Sequence, residues 1–330
     1  QTLASMEFLS TNEDDTYSTH PTKSKRLAAI KKGYNNETYS YQNTEAQMAE
    51  VFIYSGINKF LQNDYDGAVS DLTEAINSIS NVPDIVFFSR GSAKYSLKDY
   101  KGAIEDYTKV IEINPNYADA YYIRGSVKDD LKDYKGAIAD YTKAIEINPN
   151  YADAYFNRGV SKGKSEDYKE AIEDFTKAME INPNFDAYYN RGVAKASLQN
   201  YKGALADYTK AIEINPNYAD AYLYRGNSKG NSEDDKGAIE DYTKVIEINP
   251  NYTDAYYYRG NSKYYLKVYK GAIADYTKAI EINPNYADAF SNRGNSKELL
   301  GDLSGACADW RKAANLGHTN SAEWVKNQCN

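Results

Sequence analysis

Histidine and cysteine, the side chains that most often act as bases, nucleophiles or metal ligands, are scarce in this chain of 330 residues. The two histidines, His20 and His318, lie near opposite ends. Cys307, His318 and Cys329 are closer in sequence, but three ligands at such wide spacing do not match structural zinc sites. The carboxylates recur at a fixed period and do not converge, and the chain has no glycine-rich phosphate-binding loop. We therefore predict that the chain is not an enzyme and uses no metal or other cofactor.

The two cysteines also suit a structural role. A bond between Cys307 and Cys329 would pin the C-terminal end of the chain, provided that the compartment is oxidising. An even number of cysteines allows a disulfide but does not require one. Between an extracytoplasmic location, periplasmic or secreted, and a cytoplasmic one, we expect the former.

The composition narrows the class of partner. A hydrophobic content of 42% with 26% charged residues is typical of a folded chain, and no run approaches the roughly 18 apolar residues that a membrane span needs. The formal net charge of -8 disfavours nucleic acid, because phosphate binding needs clustered Lys and Arg. We expect a protein or peptide partner of basic or mixed charge. The 34 tyrosines stand out, since they supply rings with a polar end.

Internal repetition dominates the chain. The twenty residues KGAIADYTKAIEINPNYADA occur twice, at 135–154 and at 270–289. Eight units follow one another at intervals of 33 to 35 residues, and each is marked by a glycine: Gly56, Gly91, Gly125, Gly159, Gly192, Gly226, Gly260 and Gly294. A period of this length is typical of stacked repeat proteins.

Each unit contains two helical patterns. In the third unit, apolar and small residues recur at three- and four-residue steps over 120–131 and again over 137–147, which is the period of an α-helix. An Asn-Pro-Asn sequence ends the second run, because proline cannot continue a helix. The short break at 132–136 predicts antiparallel packing, with Gly125 and Ala137 at the closest approach. One pair cannot bury its apolar face alone, so the units must stack.

These units resemble the tetratricopeptide repeat family. With Ala118 counted as position 1, the family's signature positions 4, 8, 20, 24, 27 and 32 hold Tyr121, Gly125, Ala137, Tyr141, Ala144 and Pro149. The resemblance covers all eight units, and the last one is also similar to SEL-type helix-pair repeats over 308–317. It implies an all-α fold, a right-handed superhelical solenoid of antiparallel helix pairs.

The resemblance also sets the domain boundaries. Residues 1–43 form an N-terminal arm, 44–320 hold the repeats, and 321–330 form a C-terminal capping helix that covers the last apolar face. The eight units are predicted at about 49–83, 84–117, 118–151, 152–184, 185–218, 219–252, 253–286 and 287–320.

The N-terminal arm differs from the repeats in composition. It is rich in Ser, Thr and Asn, so we expect most of it to be loosely ordered. Its segment 22–33 is a short basic helix candidate with Lys23, Lys25, Arg26, Lys31 and Lys32. This segment either packs on the first unit or stays solvated, or else it visits the acidic groove and competes with partners.

In the family, the first helix of each pair lines the inner groove, and the resemblance therefore places the ligand-binding residues there. Position 2 of the units forms an almost continuous acidic row: Asp119, Asp153, Asp186, Asp220, Asp254 and Asp288. Carboxylates at a helix start cap unpaired N–H groups, which is the structural alternative to ligand binding. In either role they contribute negative field to the groove.

Aromatic and amide side chains accompany the acidic row at positions 5, 6, 9 and 12. Exposed rings there would anchor a peptide, and buried ones would belong to the core. Asparagines could bind an extended backbone or could be ordinary surface. The predicted groove residues of these types are Phe88, Tyr122, Phe156, Asn157, Tyr189, Asn190, Tyr224, Asn227, Tyr257, Tyr258, Asn261 and Tyr264.

A recurring arginine follows these groove residues in seven units, and each of the seven has an aspartate in its second helix. The matched numbers predict internal Arg–Asp pairs in preference to an anion-binding ladder. Among the groove positions only Lys164 is basic. Chaperone-binding members of the family grip a C-terminal carboxylate with several groove Lys and Arg, so we do not expect a chaperone tail as ligand.

The resemblance implies a non-catalytic scaffold for protein–protein interaction. We expect an acidic, tyrosine-rich concave groove that holds an extended peptide or a partner helix. Two alternatives remain: a carbohydrate or cell-wall binding module, because tyrosines beside Asp and Asn also suit sugars, and a self-assembling structural spacer.

Overall fold

The structure is a computed structural model that describes residues 44–329, and within them it forms seventeen α-helices. In chain order these are α1 (Thr44–Leu61), α2 (Tyr65–Ser78), α3 (Asp84–Ser96), α4 (Tyr100–Ile113), α5 (Ala118–Asp130), α6 (Tyr134–Ile147), α7 (Ala152–Lys164), α8 (Tyr168–Ile181), α9 (Phe185–Ser197), α10 (Tyr201–Ile214), α11 (Ala219–Gly230), α12 (Asp235–Ile248), α13 (Thr253–Tyr265), α14 (Tyr269–Ile282), α15 (Ala287–Glu298), α16 (Leu303–Asn315) and α17 (Thr319–Gln328). The predicted arm, with its basic segment 22–33, lies outside the described residues.

The helices form two compact units, one up to Ile181 and one from Asn182 onward. Within each unit, consecutive helices pair through short turns, and each pair packs on the next. The boundary lies between the fourth and fifth repeats, whose marker glycines, Gly159 and Gly192, are 33 residues apart and not 34. The predicted all-α repeat array is confirmed.

A tight turn joins the two helices of each repeat, and in most repeats a side chain caps the second helix; in repeat seven Val268 stands at this position and makes no capping bond. In repeat three, Lys132 adopts a left-handed backbone conformation with φ of 63°, and the side chain of Asp133 accepts a hydrogen bond of 3.0 Å from the Gly136 backbone N–H. The same turn recurs with a non-glycine residue in the left-handed region at Asn63, Lys98, Glu166, Gln199, Glu233 and Lys267. In repeat eight this residue is Gly301, which adopts positive φ without steric cost. The carboxylate cap satisfies one of the unpaired N–H groups at the start of the second helix.

The two helices of a pair approach closely at the glycine that recurs once in each repeat. A Cβ built on Gly125 would lie 2.9 Å from a ring carbon of Tyr141 and 3.3 Å from the carbonyl oxygen of Ala137. Both Ala137 and Tyr141 are buried. The predicted contact between Gly125 and Ala137 is therefore confirmed, and it exists because only a hydrogen at this position leaves room for the facing ring.

The C-terminal end of the array is closed by α17. This helix was predicted from residue 321 and begins at Thr319. Trp324 packs against the buried Trp310 with ring centroids 5.5 Å apart. Cys307 and Cys329 form a disulfide, with Cα atoms 5.5 Å apart, which ties the end of this helix to α16.

Candidate functional site

The groove face is the surface formed by the first helices of the pairs. In the second unit these are α9, α11, α13 and α15, and neighbouring members contact each other directly. Side chains on this surface therefore reach from one repeat to the next. The predicted groove residues lie on these helices and on their counterparts in the first unit.

The recurring arginines bind inside the array. Arg225 donates two hydrogen bonds to Asp241, of 2.9 and 2.7 Å, and a third of 3.2 Å to Thr209 of the preceding repeat. Its guanidinium carbon lies 5.4 Å from the centre of the Tyr222 ring, and Lys229 contacts the same carboxylate at 2.9 Å. Equivalent pairs are Arg90–Asp106, Arg124–Asp140, Arg158–Asp174, Arg191–Asp207, Arg259–Asp275 and Arg293–Asp309. The predicted internal pairing is confirmed.

The acidic row does not cap helices in the way the sequence suggested. The N-cap residue of α5 is Tyr117, which has no side-chain capping bond, and Asp119 lies within the first turn. The Asp119 carboxylate instead accepts a 2.7 Å hydrogen bond from the hydroxyl of Tyr151, the N-cap residue of α7, which is the first helix of the next repeat. Two further bonds of this kind are Tyr252 to Asp220, at 2.7 Å, and Tyr286 to Asp254, at 3.1 Å. These carboxylates join neighbouring repeats.

Asp186 and Asp220 are half-buried members of the acidic row, and burial raises the pKa of the Asp186 carboxyl. The row continues with Asp153 and Asp288, whose side chains are exposed. The groove face therefore keeps negative charge at its surface, and at Asp186 this charge is also partly desolvated.

Position 5 belongs largely to the core. Phe88 and Tyr122 are 0% and 5% exposed, so the expectation that their rings stand open to a ligand is wrong. The reason is the next repeat: the Tyr122 ring lies 4.9 Å from that of Tyr151, and the Phe88 ring lies 5.4 Å from that of Tyr117. The rings of Phe156, Tyr189 and Tyr257 are half-buried.

The groove asparagines already make internal hydrogen bonds. Asn157 donates to the Tyr122 hydroxyl at 2.9 Å, and Asn190 donates to the backbone oxygen of Asp186 at 2.9 Å. Asn227 accepts from Tyr242 at 2.9 Å. Asn261 likewise accepts from Tyr276 at 2.8 Å. Only the remaining hydrogen-bonding capacity of these amides is left for a ligand.

Two other predicted groove residues are engaged at the ends of first helices. Tyr264 is half-buried, and its ring centre lies 5.9 Å from that of the exposed Tyr265 and 5.6 Å from that of Tyr269. Lys164 forms a 2.6 Å ion pair with Asp129. The single basic side chain at a groove position is thus already neutralised.

Four tyrosines of the second unit form a continuous aromatic cluster on the groove face. This Tyr189 cluster consists of Tyr189, Tyr208, Tyr218 and Tyr224. The Tyr189 ring is central, with its centre 5.0 Å from that of Tyr218, 5.6 Å from that of Tyr224 and 6.1 Å from that of Tyr208. Tyr224 is the exposed member, with 38% of its surface accessible. Asp186 and Asp220 add negative charge beside Tyr218, and both raise its pKa together with burial, which is the larger cause.

The hydroxyl group of Tyr208 is buried and has no hydrogen-bond partner. Position 9 of its own repeat holds Val193, whereas a polar residue holds this position in the other repeats that carry the equivalent tyrosine. The facing pairs that are bonded are Ser92–Tyr107, Ser126–Tyr141, Asn227–Tyr242, Asn261–Tyr276 and Asn295–Trp310. In repeat four an apolar Val160 faces an apolar Phe175 in register. Repeat five alone combines a tyrosine with a valine.

A second aromatic cluster lies farther along the same unit. The Tyr257 ring centre is 4.9 Å from that of Tyr286, 5.4 Å from that of Tyr258 and 6.0 Å from that of Tyr276. Tyr258 also stacks on Tyr242 at 6.0 Å. Asp254 and Asp288 contribute, after burial, to a raised pKa of Tyr258. This region repeats the combination of rings and carboxylates.

The first unit has a cavity of about 270 Å³ at the ends of α3 and α5. Its lining includes Ser92, Tyr95, Tyr107 and Asp130. The Tyr95 hydroxyl donates a 2.7 Å hydrogen bond to Asp130, and burial together with this carboxylate raises the pKa of Tyr95. The sequence interpretation missed this cavity, because it arises from residues of two different repeats.

Sequence reasoning also missed Tyr208 and Tyr218. Neither is among the predicted groove residues, because each belongs to a column that repeats through the chain. Comparison of the two facing columns within the chain, at positions 9 and 24, would have revealed the mismatch at Val193. Among residues 44–329, no group of three His, Cys, Asp or Glu side chains is placed to hold a metal. None of the described helices is long and apolar enough to cross a membrane.

Comparison with known proteins places these features in context. Tetratricopeptide repeat models match residues 91–128, 130–165, 152–185, 185–218, 219–252 and 260–301, which together cover more than half of the chain. No curated protein matches the chain significantly.

Solved structures show the same architecture. The structure of YrrB, described as a TPR protein with an unusual peptide-binding site, is 31% identical, with a TM-score of 0.51 over 57% of this chain and 97% of YrrB. The C-terminal part of a TPR repeat-containing protein from Cytophaga hutchinsonii is 20% identical, with a TM-score of 0.62 over 73% of this chain and 98% of that one. A tetratricopeptide repeat protein from Parabacteroides merdae is also 20% identical, with a TM-score of 0.56 over 76% and 99% of the two chains.

Proposed function

Because this chain belongs to the tetratricopeptide repeat family, whose members are protein-interaction scaffolds, we propose that it holds an extended peptide or a partner helix on its groove face. The proposed contact region is the second unit, where the Tyr189 cluster and the rings around Tyr257 lie beside the acidic row. The protein acts in this role without catalysis.

The observation that carries the proposal is the combination of partly exposed rings with surface carboxylates in the second unit. Tyr224 is 38% exposed, and Tyr257 and Tyr258 are half-buried. Tyrosines of this kind offer large contact area, a polar end and little side-chain entropy to lose. Regular packing already uses the column of rings at position 24, so the rings at position 6 are additional.

The charge of the face selects the class of partner. The arginines and nearby lysines of the first helices pair with buried aspartates, as Arg225 and Lys229 do with Asp241. Asp254 and Asp288 remain at the surface of the same helices. A partner of basic or mixed charge meets complementary potential on this face, and a strongly acidic one is repelled.

The similarity to YrrB supports the peptide-binding form of the proposal. That protein is described as having a peptide-binding site, and it shares 31% of its residues with this chain in the matched region. The position of the site in this chain rests on its own residues, because the acidic row and the two tyrosine clusters are features of this sequence.

A displayed library of random peptides, selected against the purified full chain, tests the proposal. We expect enrichment of peptides with basic and aromatic residues, and at least about tenfold weaker binding to a Tyr224→Ala, Tyr258→Ala double variant, since anchor truncation commonly costs this much or more. The matched control is Ile214→Ala, which truncates an apolar side chain that is 49% exposed at the end of α10, outside the groove face. Equal binding by the double variant and the wild type would contradict the groove assignment.

Two parallel titrations address the alternatives. Binding of a glycan array, with no selected peptide, would favour a carbohydrate-binding module. A molecular mass that rises with protein concentration, without any ligand, would favour a self-assembling spacer. Tyrosine fluorescence reports the first of these, and light scattering reports the second.

A further inference from the structure

We infer that the Tyr189 cluster, with Asp186 and Asp220, is a subsite for the guanidinium group of an arginine side chain on the bound partner. This inference deepens the proposed function and rests on it. It assigns to one place on the groove face a ligand chemistry that the family resemblance does not specify.

The first argument is the unsatisfied hydroxyl group. The Tyr208 side chain is 0% exposed, and its hydroxyl has no hydrogen-bond partner. A buried polar group without a partner is unfavourable, and completion of its bonding by a bound group is one physical reason for a native protein to keep one. The Tyr208 ring contacts the rings of Tyr189 and Tyr224, which both belong to first helices, so Tyr208 packs directly beneath the groove face.

The second argument comes from the way this chain holds its own arginines. Each internal guanidinium meets the same two components, an aromatic ring face and an aspartate. Arg225 lies over the Tyr222 ring at 5.4 Å and bonds Asp241 through two nitrogen atoms. The Tyr189 cluster supplies several rings and two carboxylates, but no cation of its own.

The nearby cations are committed elsewhere. Arg191 and Lys195 of α9 both contact Asp207, each at 2.7 Å. In α11, Lys229 contacts Asp241 at 2.9 Å and donates to the backbone oxygen of Gly237. The raised pKa of Asp186 has burial as its only resolved cause, which agrees with a carboxylate that lacks a compensating cation.

Tyr224 provides the route of entry. It is the exposed ring of the cluster, and its centre lies 6.3 Å from that of Tyr208. Rotation of an exposed tyrosine side chain about its Cα–Cβ bond takes place on the picosecond to nanosecond scale, so the ring can move aside and then cover the ligand. An arginine fits better than a lysine, because its planar guanidinium stacks on aromatic rings and has several N–H donors for separate acceptors. One such donor would complete the bonding of the Tyr208 hydroxyl oxygen.

The test uses the full chain with carbon-13 in its tyrosine rings and NMR detection. The probe is a blocked Gly-Gly-Arg-Gly-Gly peptide, and its matched control replaces arginine by citrulline, which keeps the shape and loses the charge. We expect the arginine probe to shift the ring signals of Tyr189 and Tyr224, which are assigned by single Tyr→Phe variants. The citrulline probe should leave them unchanged.

Two substitutions separate the subsite from general folding. Tyr208→Phe removes the unpartnered hydroxyl and recreates the Val–Phe combination of repeat four, so it should fold normally and bind the arginine probe about tenfold more weakly, since hydrogen bonds to charged groups are the stronger ones. Tyr242→Phe is the control in repeat six, where Asn227 already holds the hydroxyl, and it should leave probe binding unchanged.

The outcomes distinguish the subsite from the proposed function. Equal shifts from the arginine and citrulline probes, or wild-type affinity in Tyr208→Phe, would overturn the guanidinium subsite. If the displayed peptides still bind the groove face in that case, only the subsite is wrong. If no peptide from the library binds the chain anywhere, both the subsite and the peptide-binding proposal fail.

Discussion

Repeats five and six bury the same tyrosine in the same place, but only one of the two hydroxyl groups has a partner. In repeat six, Tyr242 donates a 2.9 Å hydrogen bond to Asn227. In repeat five, Val193 stands at the facing position and the hydroxyl of Tyr208 is buried without a bond. The two repeats otherwise share the Arg–Asp pair, the capped turn and the close helix contact at glycine.

The comparison shows that one side chain at position 9 can change the bonding of a core hydroxyl without a change of fold. The shared contacts determine helix packing, and the residue at position 9 decides whether the core hydroxyl has an internal partner. A buried hydroxyl without a partner lowers the free energy of unfolding, so the repeat that carries it is expected to be less stable than its neighbour. Such local costs are characteristic of functional positions.

The largest expected effect concerns the Arg–Asp pair that the two repeats share. Arg191→Ala and Arg225→Ala should each lower the free energy of unfolding by about 3 kcal/mol, because each leaves a buried aspartate with only a lysine partner. Urea unfolding followed by circular dichroism measures both losses. The control, Lys244→Ala, removes an exposed pair with Glu247 and should leave the unfolding midpoint unchanged. If the two substitutions lower the free energy of unfolding by widely different amounts, the Arg–Asp pairs of the two repeats are not equivalent.

The next largest effect is expected from a substitution that makes repeat six resemble repeat five. Asn227→Val should orphan the Tyr242 hydroxyl and lower the free energy of unfolding by about 1–3 kcal/mol, the cost of a buried polar group without a partner. The double variant Asn227→Val, Tyr242→Phe should recover most of this loss, because it removes the orphan as well. Failure of the second substitution to restore stability would mean that Asn227 matters for another reason.

The reverse substitution converts repeat five into the likeness of repeat six. Val193→Asn should raise the free energy of unfolding by about 1 kcal/mol, since it supplies the missing acceptor for Tyr208. In a Tyr208→Phe background, by contrast, the same asparagine has no hydroxyl from which to accept a hydrogen bond, so it should not raise the free energy of unfolding. Urea midpoints of the two single variants and the double variant complete this cycle. A gain that persists without the Tyr208 hydroxyl would refute the pairing.

The smallest effect concerns pH and Asp186. Burial raises the pKa of this carboxyl in the folded protein, so the ionised group destabilises the fold above that pKa, and protonation relieves the penalty as the pH falls. Asp186→Asn should therefore be slightly more stable than the wild type at neutral pH. The difference should shrink as the pH falls through the raised pKa towards the ordinary value of 3.8, and vanish below it. A pH-independent difference would count against burial as the cause.

Much of the fold follows from the sequence because its determinants are local and periodic. The spacing of Gly125 and Ala137 predicts the close helix contact, since both belong to one helix pair. The matched columns of arginine and aspartate predict their pairing, because one repeat contains both partners. Even the Cys307–Cys329 bond needs only that the last two helices pack on each other. These features require no knowledge of how one repeat meets the next.

The candidate site depended on the contact between repeats. The sequence places Tyr122 and Tyr189 in the same column. The Tyr122 ring is covered by Tyr151, and its hydroxyl accepts a hydrogen bond from Asn157. The Tyr189 ring instead contacts the ring of the exposed Tyr224. Burial of a ring depends on all the side chains that surround it in space, and those come from three different helices. Sequence alone therefore determined the period, the helix pairs and the ion pairs. Only the tertiary structure decided which rings are buried, which carboxylates link repeats, and which hydroxyl is left without a bond.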